Sequence, residues 1–167
     1  MEYSKIFFDM DGVLADFDRG VAELLGLEPH EQGTSSAEYE DELYDRMSRY
    51  GHFYEDLQPL PGALDMFRHL YERYPDRCAI LSGIPKPSRG VVYAGEDKRR
   101  WIERYFGPEV QVNIVLRKEK PLYCTGPECI LIDDYARNIT EWETAGGTGI
   151  LHTGAEETLE RLKQLGL

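Results

Sequence analysis

Cysteine is scarce in this chain: there are three among 167 residues, an odd number that does not suit a disulfide framework. Cys124 and Cys129 are separated by four residues and Cys78 lies far upstream, so no second pair completes a four-ligand zinc site. Reduced thiols are the expectation. Long apolar runs are also missing, and none approaches the length of a membrane span. Met1–Lys5 leads straight into a short apolar run containing aspartates, without a signal-peptide layout. A cytoplasmic protein with no membrane partner is therefore expected. Positive charge is in short supply, with 19 Lys and Arg against 31 Asp and Glu and a formal net charge of −12. Binding to a nucleic-acid polymer rests on neutralising backbone phosphates with Lys and Arg, so such a partner is not expected. A small anionic substrate is still possible, because a local pocket and a bound metal can supply the positive charge. Neither internal repeats nor low-complexity tracts occur.

The chain does contain enough apolar residues, 41%, to fold as a globular protein, and enough length for one domain or one domain plus a small insert. Short apolar runs alternate with amphipathic stretches. Lys5–Asp9, Cys78–Leu81, Val110–Leu116, Cys129–Ile132 and Thr148–Leu151 read as strands, mostly as continuous apolar runs covered on both faces. Gly62–Tyr74, Asp97–Phe106 and Ala155–Leu165 read as helices, each with one apolar face. Asn138 and Glu141 have the spacing of a capping box for a further short helix. This alternation predicts an α/β fold with a mainly parallel sheet of about five strands. From Asp18 to Gln58 no good strand occurs; Arg19–Leu25 and Ala37–Tyr50 look helical, joined by the loop-like Glu28–Ser36. Residues 18–58 thus read as a small helical cap inserted after the first strand of a core formed by 1–17 and 59–167. Pro61 is suited to opening the helix after the return.

The chemistry concentrates at two strand ends. Phe7-Phe8-Asp9-Met10-Asp11-Gly12 ends an apolar strand in two aspartates and a glycine, and Leu131-Ile132-Asp133-Asp134 ends another in adjacent acids. In open parallel sheets, functional groups gather at the carboxyl ends of strands. Either pair alone is equally well ordinary turn chemistry. Two pairs side by side would place four carboxylates in one crevice, where their repulsion calls for a cation; oxygen ligands of this kind suit magnesium.

With these motifs in view, the sequence resembles the haloacid-dehalogenase-like (HAD) phosphatase superfamily, and within it the 5′(3′)-deoxyribonucleotidase group and its bacterial and phage relatives. FFDMDGVLADF (7–17), PLPGALDMF (59–67), LSGIPK (81–86), LIDDYARNITEW (131–142) and AGGTGILH (145–152) carry the resemblance over nearly the whole chain. It implies a Rossmann-like three-layer core and a Mg2+-dependent phosphomonoesterase working through an aspartyl-phosphate. Asp9 would be the nucleophile and Asp11 the general acid and base. The metal would lie among Asp9, the Asp11 carbonyl, Asp133 and Asp134. Ser82 occupies the position of the superfamily's second motif, a hydroxyl for a phosphoryl oxygen; Gly83 follows where many nucleotidases of the group have a second hydroxyl. The family's charge-offsetting lysine falls on Lys120, with Lys118 open as an alternative or as a further phosphate contact. Lys86 and Lys98 are more distant candidates. Phe17 lies where the related nucleotidases set an aromatic against the base, although packing on the core is an equal reading; for Phe53 and Tyr54 packing is the preferred one.

The substrate implied is a small phosphate ester, foremost a nucleoside monophosphate. A sugar phosphate handled by the same mechanism and a non-catalytic phosphate- or nucleotide-binding relative are the alternatives.

Overall fold

The computed structural model describes residues 1–167. Five strands, β1 (Lys5–Phe8), β2 (Cys78–Gly83), β3 (Gln111–Val115), β4 (Cys129–Asp133) and β5 (Thr148–Leu151), form one sheet in the order β3-β2-β1-β4-β5. All four neighbouring pairs are parallel. The predicted α/β architecture and strand number are therefore observed. The chain runs outward from β1 through β2 to β3, then crosses to β4 on the other side of β1 and on to β5. The winding reverses between β1 and β4, the point at which open α/β sheets leave a crevice at their carboxyl ends.

Alternation along the strands divides the core in two. Ile6, Phe8, Ile80, Ile130 and Ile132 point to one face, where they meet Phe67, Leu70, Trp101, Ile102 and Leu162. These come from helices α3 (Ala63–Arg73), α4 (Ala94–Phe106) and α6 (Ala155–Gln164), numbered in chain order after α1 (Phe17–Leu25) and α2 (Ala37–Tyr50). Phe7, Ala79, Leu81 and Leu131 point to the other face, against Ile139 and Trp142 of α5 (Ala136–Thr144). Phe7 meets the edge of Trp142 at 5.7 Å and of Tyr123 at 6.1 Å. Helix, sheet and helix make the three layers.

Residues 17–50 contribute α1 and α2 and no strand. The segments that leave and rejoin the sheet are bonded to each other: Asp16 N donates to Gln58 O and Leu60 N to Leu14 O, both at 2.8 Å. Helix α4 then holds the returning chain. The Trp101 indole donates to Leu57 O at 2.8 Å, His52 meets Asp97 at 2.7 Å, and Arg104 pairs with Glu55 at 3.3 Å. Leu43, Met47, Phe53, Tyr54 and Leu57 join the larger of the two cores.

Several boundaries differ from those read off the sequence. Helix α1 starts at Phe17, two residues early, because Asp16 Oδ1 accepts from Arg19 N. Helix α4 starts at Ala94 rather than Asp97. Pro61 does not open α3; Gly62, at φ +73°, precedes its first residue, Ala63. Asn138 lies inside α5 rather than capping it, since its buried amide bonds to Asp133 instead. The strand expected at 110–116 is one residue shorter at each end.

Phe67 is fully buried among Phe8, Tyr71 and Phe106, with ring centroids 4.4–5.5 Å away. Truncation to Ala should cost about 3–5 kcal/mol, lost packing and a residual cavity together. Urea titration of Phe67→Ala should show a lower midpoint at unchanged slope.

Candidate active site

Asp9 follows β1 directly, held by its backbone N–H to Ile132 O at 2.9 Å. Its side chain is buried at the carboxyl edge of the sheet, beside Asp133, the last residue of β4. Between Asp9 and Asp11 the chain turns sharply. Met10 O accepts from the N–H groups of Val13, Leu14 and Ala15, and Gly12 adopts φ +80°. A methyl group on Gly12 would stand 1.9 Å from Asp134 Oδ2, so glycine is required both by the turn and by the close approach of that carboxylate. Carboxylate oxygens of Asp9, Asp133 and Asp134 all lie within 4.8 Å of one another.

Two buried lysines face this cluster. Lys120 sits in a 3-10 helix, Arg117–Tyr123, whose first turn is closed by Leu116 N donating to Glu119 Oε1 at 2.7 Å. Its Nζ donates to Asp9 Oδ1 at 3.0 Å and Asp133 Oδ2 at 2.8 Å. With three residues per turn, Lys118 is rotated about 120° away from Lys120, and it is exposed. Of the two lysines, Lys120 meets the carboxylates and Lys118 does not. Lys98, on α4, is the second. Its Nζ donates to Asp11 Oδ2 at 2.8 Å, Ser82 Oγ at 2.7 Å and Gly83 O at 2.7 Å.

Asp133 accepts from three donors. Oδ1 accepts from Tyr135 N, and Oδ2 accepts from Lys120 and from Asn138 Nδ2 at 3.0 Å. Asn138 Oδ1 in turn accepts from Arg117. Asp134 lies at the open side, against Gly12. Burial raises Asp9 from 3.8 to about 7, with Asp133 and Asp11 adding to the rise and Lys120 and Lys98 opposing it. Desolvation, then Asp9 and Asp133, also raise Asp134. Burial alone would lower Lys120, but Asp9 and Asp133 outweigh it and hold the ammonium charged. Four carboxylates against two ammonium groups leave two negative charges uncompensated, and the donors are hard oxygens; both fit a divalent cation of the magnesium type.

The other sequence-predicted residues are divided. Ser82 ends up fully buried beside Lys98, and Gly83 presses on the Arg117 backbone, where an added methyl would come within 3.4 Å. Phe17 packs edge-on against Phe53 at 5.6 Å and tilts toward Tyr54 at 6.3 Å, so the three aromatics form one cluster. Lys86 is exposed and, like Lys118, makes no hydrogen bond or ion pair with the cluster. Sequence reasoning gave too little weight to Lys98 and passed over the site contacts of Asn138 and Arg117. The signal for Lys98 was present: it falls on the apolar stripe of α4 with Trp101, Ile102 and Tyr105, where an unpaired lysine has no place.

The family described as "5′ nucleotidase, deoxy (Pyrimidine), cytosolic type C protein" matches residues 3–158. The human cytosolic-type 5′(3′)-deoxyribonucleotidase is 30% identical over 89% of this chain and 79% of its own length. The human mitochondrial 5′(3′)-deoxyribonucleotidase is 29% identical over 78% of this chain and 61% of its own. Among solved structures, a HAD-superfamily hydrolase from Ehrlichia chaffeensis shares the fold with a TM-score of 0.59 at 17% identity, covering all of both chains.

Replacing Lys120 with Met leaves Asp9 and Asp133 buried without their shared cation. We expect a loss of about 3–5 kcal/mol in the metal-free protein above pH 7. An acid raised on folding destabilises the fold as pH climbs from its ordinary 3.8 toward its folded value, here about 7 or higher. The loss should therefore shrink as the pH is lowered toward 4. Urea titrations across this range check it; a pH-independent loss would refute the electrostatic account.

Proposed function

The chain belongs to the 5′ nucleotidase, deoxy (pyrimidine), cytosolic type C family, and from that premise we propose that it is a magnesium-dependent phosphomonoesterase acting on (deoxy)ribonucleoside monophosphates through an aspartyl-phosphate. The observation that supports this reading above all is the meeting of Asp9, Asp133 and Asp134 around Lys120 at the carboxyl ends of β1 and β4, with Asp11 two residues from Asp9 and bonded to Lys98.

Lys120 takes Asp9 Oδ1 and leaves Oδ2 to attack phosphorus. As that oxygen–phosphorus bond forms, the ester bond breaks, and its electron pair goes to the leaving oxygen, which receives a proton from Asp11. A water then attacks the phosphorus and gives its proton to Asp11; the acyl-phosphate bond breaks, freeing phosphate and restoring the Asp9 carboxylate. The third N–H of Lys120 and the Ser82 hydroxyl donate to the phosphoryl oxygens. Asp9, the Asp11 carbonyl, Asp133 and Asp134 would hold a magnesium ion, with Asp133 also orienting Lys120. When bound, the cation supplies positive charge that lets a carboxylate approach a phosphate dianion.

Residues 18–58 act as a small cap over the core formed by 1–17 and 59–167. Phe17 and Tyr54 wall the side where a base stacks. Lys86 and Lys118, exposed on the segments that follow β2 and β3, add positive charge for the incoming anion. No helix is long and apolar enough to cross a membrane; the cytoplasmic location we propose follows the human relative named as the cytosolic type.

A panel of nucleoside monophosphates and sugar phosphates, assayed with and without magnesium, tests the reading. Magnesium-dependent release of phosphate from the nucleotides is expected, with a loss of about 10⁴-fold or more in Asp9→Asn. Strong preference for one sugar phosphate over all nucleotides would replace the substrate assignment, and magnesium-independent turnover would end the mechanism. Binding alone gives a second readout. At about a hundredfold excess over Kd, magnesium should stabilise the protein by about 2–3 kcal/mol above pH 7. It should do so less well below pH 6, where a proton competes for Asp9; unfolding titrations measure both.

A further inference from the structure

Lys98 is buried completely, and its surroundings account for every hydrogen it carries. A lysine ammonium has three N–H donors. Here they go to Asp11 Oδ2, Ser82 Oγ and Gly83 O, all within 2.7–2.8 Å. The Tyr54 ring covers the group from 4.5 Å away. No donor is left for a substrate. Lys120 differs: with two acceptors it keeps one N–H in reserve.

The carboxyl that Lys98 grips is lopsided. Asp11 Oδ2 is bonded, whereas Asp11 Oδ1 is buried and has no partner. An unmet buried acceptor is costly, so a fold that retains one needs a reason. We infer that Lys98 is a positioning residue that grips the Asp11 carboxyl through Oδ2 and holds it in the orientation from which it gives the proton to the leaving oxygen and takes it back from the hydrolytic water. The same ammonium makes Ser82 Oγ an acceptor, which frees the serine proton to point away from Lys98. Because Tyr54 comes from the returning end of the insert, the lysine also ties that segment to the proton-transfer group. This inference rests on the functional reading above.

The test exploits leaving groups. Thymidine monophosphate loses an alkoxide that needs a proton, whereas p-nitrophenyl phosphate loses a phenolate that does not. In Lys98→Met, kcat for thymidine 5′-monophosphate should fall about a hundredfold, with KM changed less than about threefold. The pre-steady-state burst of p-nitrophenolate, which reports phosphorylation of Asp9, should persist within about threefold while the subsequent steady state falls. Asp11→Asn should give the same split, and the double variant should be no worse than the more impaired single variant, within about threefold. Equal loss of burst and nucleotide turnover, a rise in KM at constant kcat, or multiplying losses in the double variant would each overturn the assignment.

Melting curves establish that the variants are folded. If Lys98→Met does not fold, Lys98→Gln, which keeps an amide donor, is read by the same split, and preserved or lost separation of burst from turnover decides in the same way. Wild-type enzyme without magnesium-dependent turnover of thymidine 5′-monophosphate would instead remove the functional reading itself.

Discussion

One ammonium group, that of Lys120, makes the rest of the site possible. Asp9 and Asp133 end adjacent parallel strands, so the sheet itself forces their carboxylates together. Like charges 4 Å apart repel by about 4 kcal/mol at an effective dielectric of 20. The lysine converts that repulsion into two charge-assisted bonds, and Asn138 and the Tyr135 N–H take up much of what is left of Asp133. Buried ion pairs contribute little net stability compared with apolar packing. What this one supplies is position: it fixes one Asp9 oxygen and so orients the other.

The topology explains why the groups meet at this edge. Reversal of winding between β1 and β4 leaves no helix directly above their carboxyl ends, and the chain fills the gap with turns rather than regular structure. Gly12 allows one of those turns to pass beneath Asp134. Strands bring the carboxylates, whereas a 3-10 helix and α4 bring the lysines, from opposite sides. Asp9 and Asp133 are therefore set by the sheet, and the buried lysines by the elements packed against it.

Much of this was legible in the residue order. The five strands are runs of apolar residues bounded by turns, and period and length were enough to find them. The two aspartate pairs announced themselves because acids have no other reason to end buried strands twice. What escaped detection depends on three-dimensional proximity. Lys120 and Lys118 look equivalent along the chain and differ only in the phase of a 3-10 turn. Lys98 reads as one charge in the charged run Glu96–Arg100 until its place on an apolar stripe is noticed. Asn138 presented a cap-like spacing and was claimed instead by a buried carboxylate five residues earlier. In each case a polar side chain was drawn inward by a partner distant in sequence or hidden by local helix phase.

The backbone bonds between Asp16 and Gln58 and between Leu60 and Leu14 have a consequence of their own. They fasten the two ends of a forty-residue excursion to each other before either reaches the sheet. The cost of closing such a loop grows only logarithmically with its length. Segments between the fastened ends can thus lengthen, shorten or change composition while Asp9 and Asp11 stay where they are.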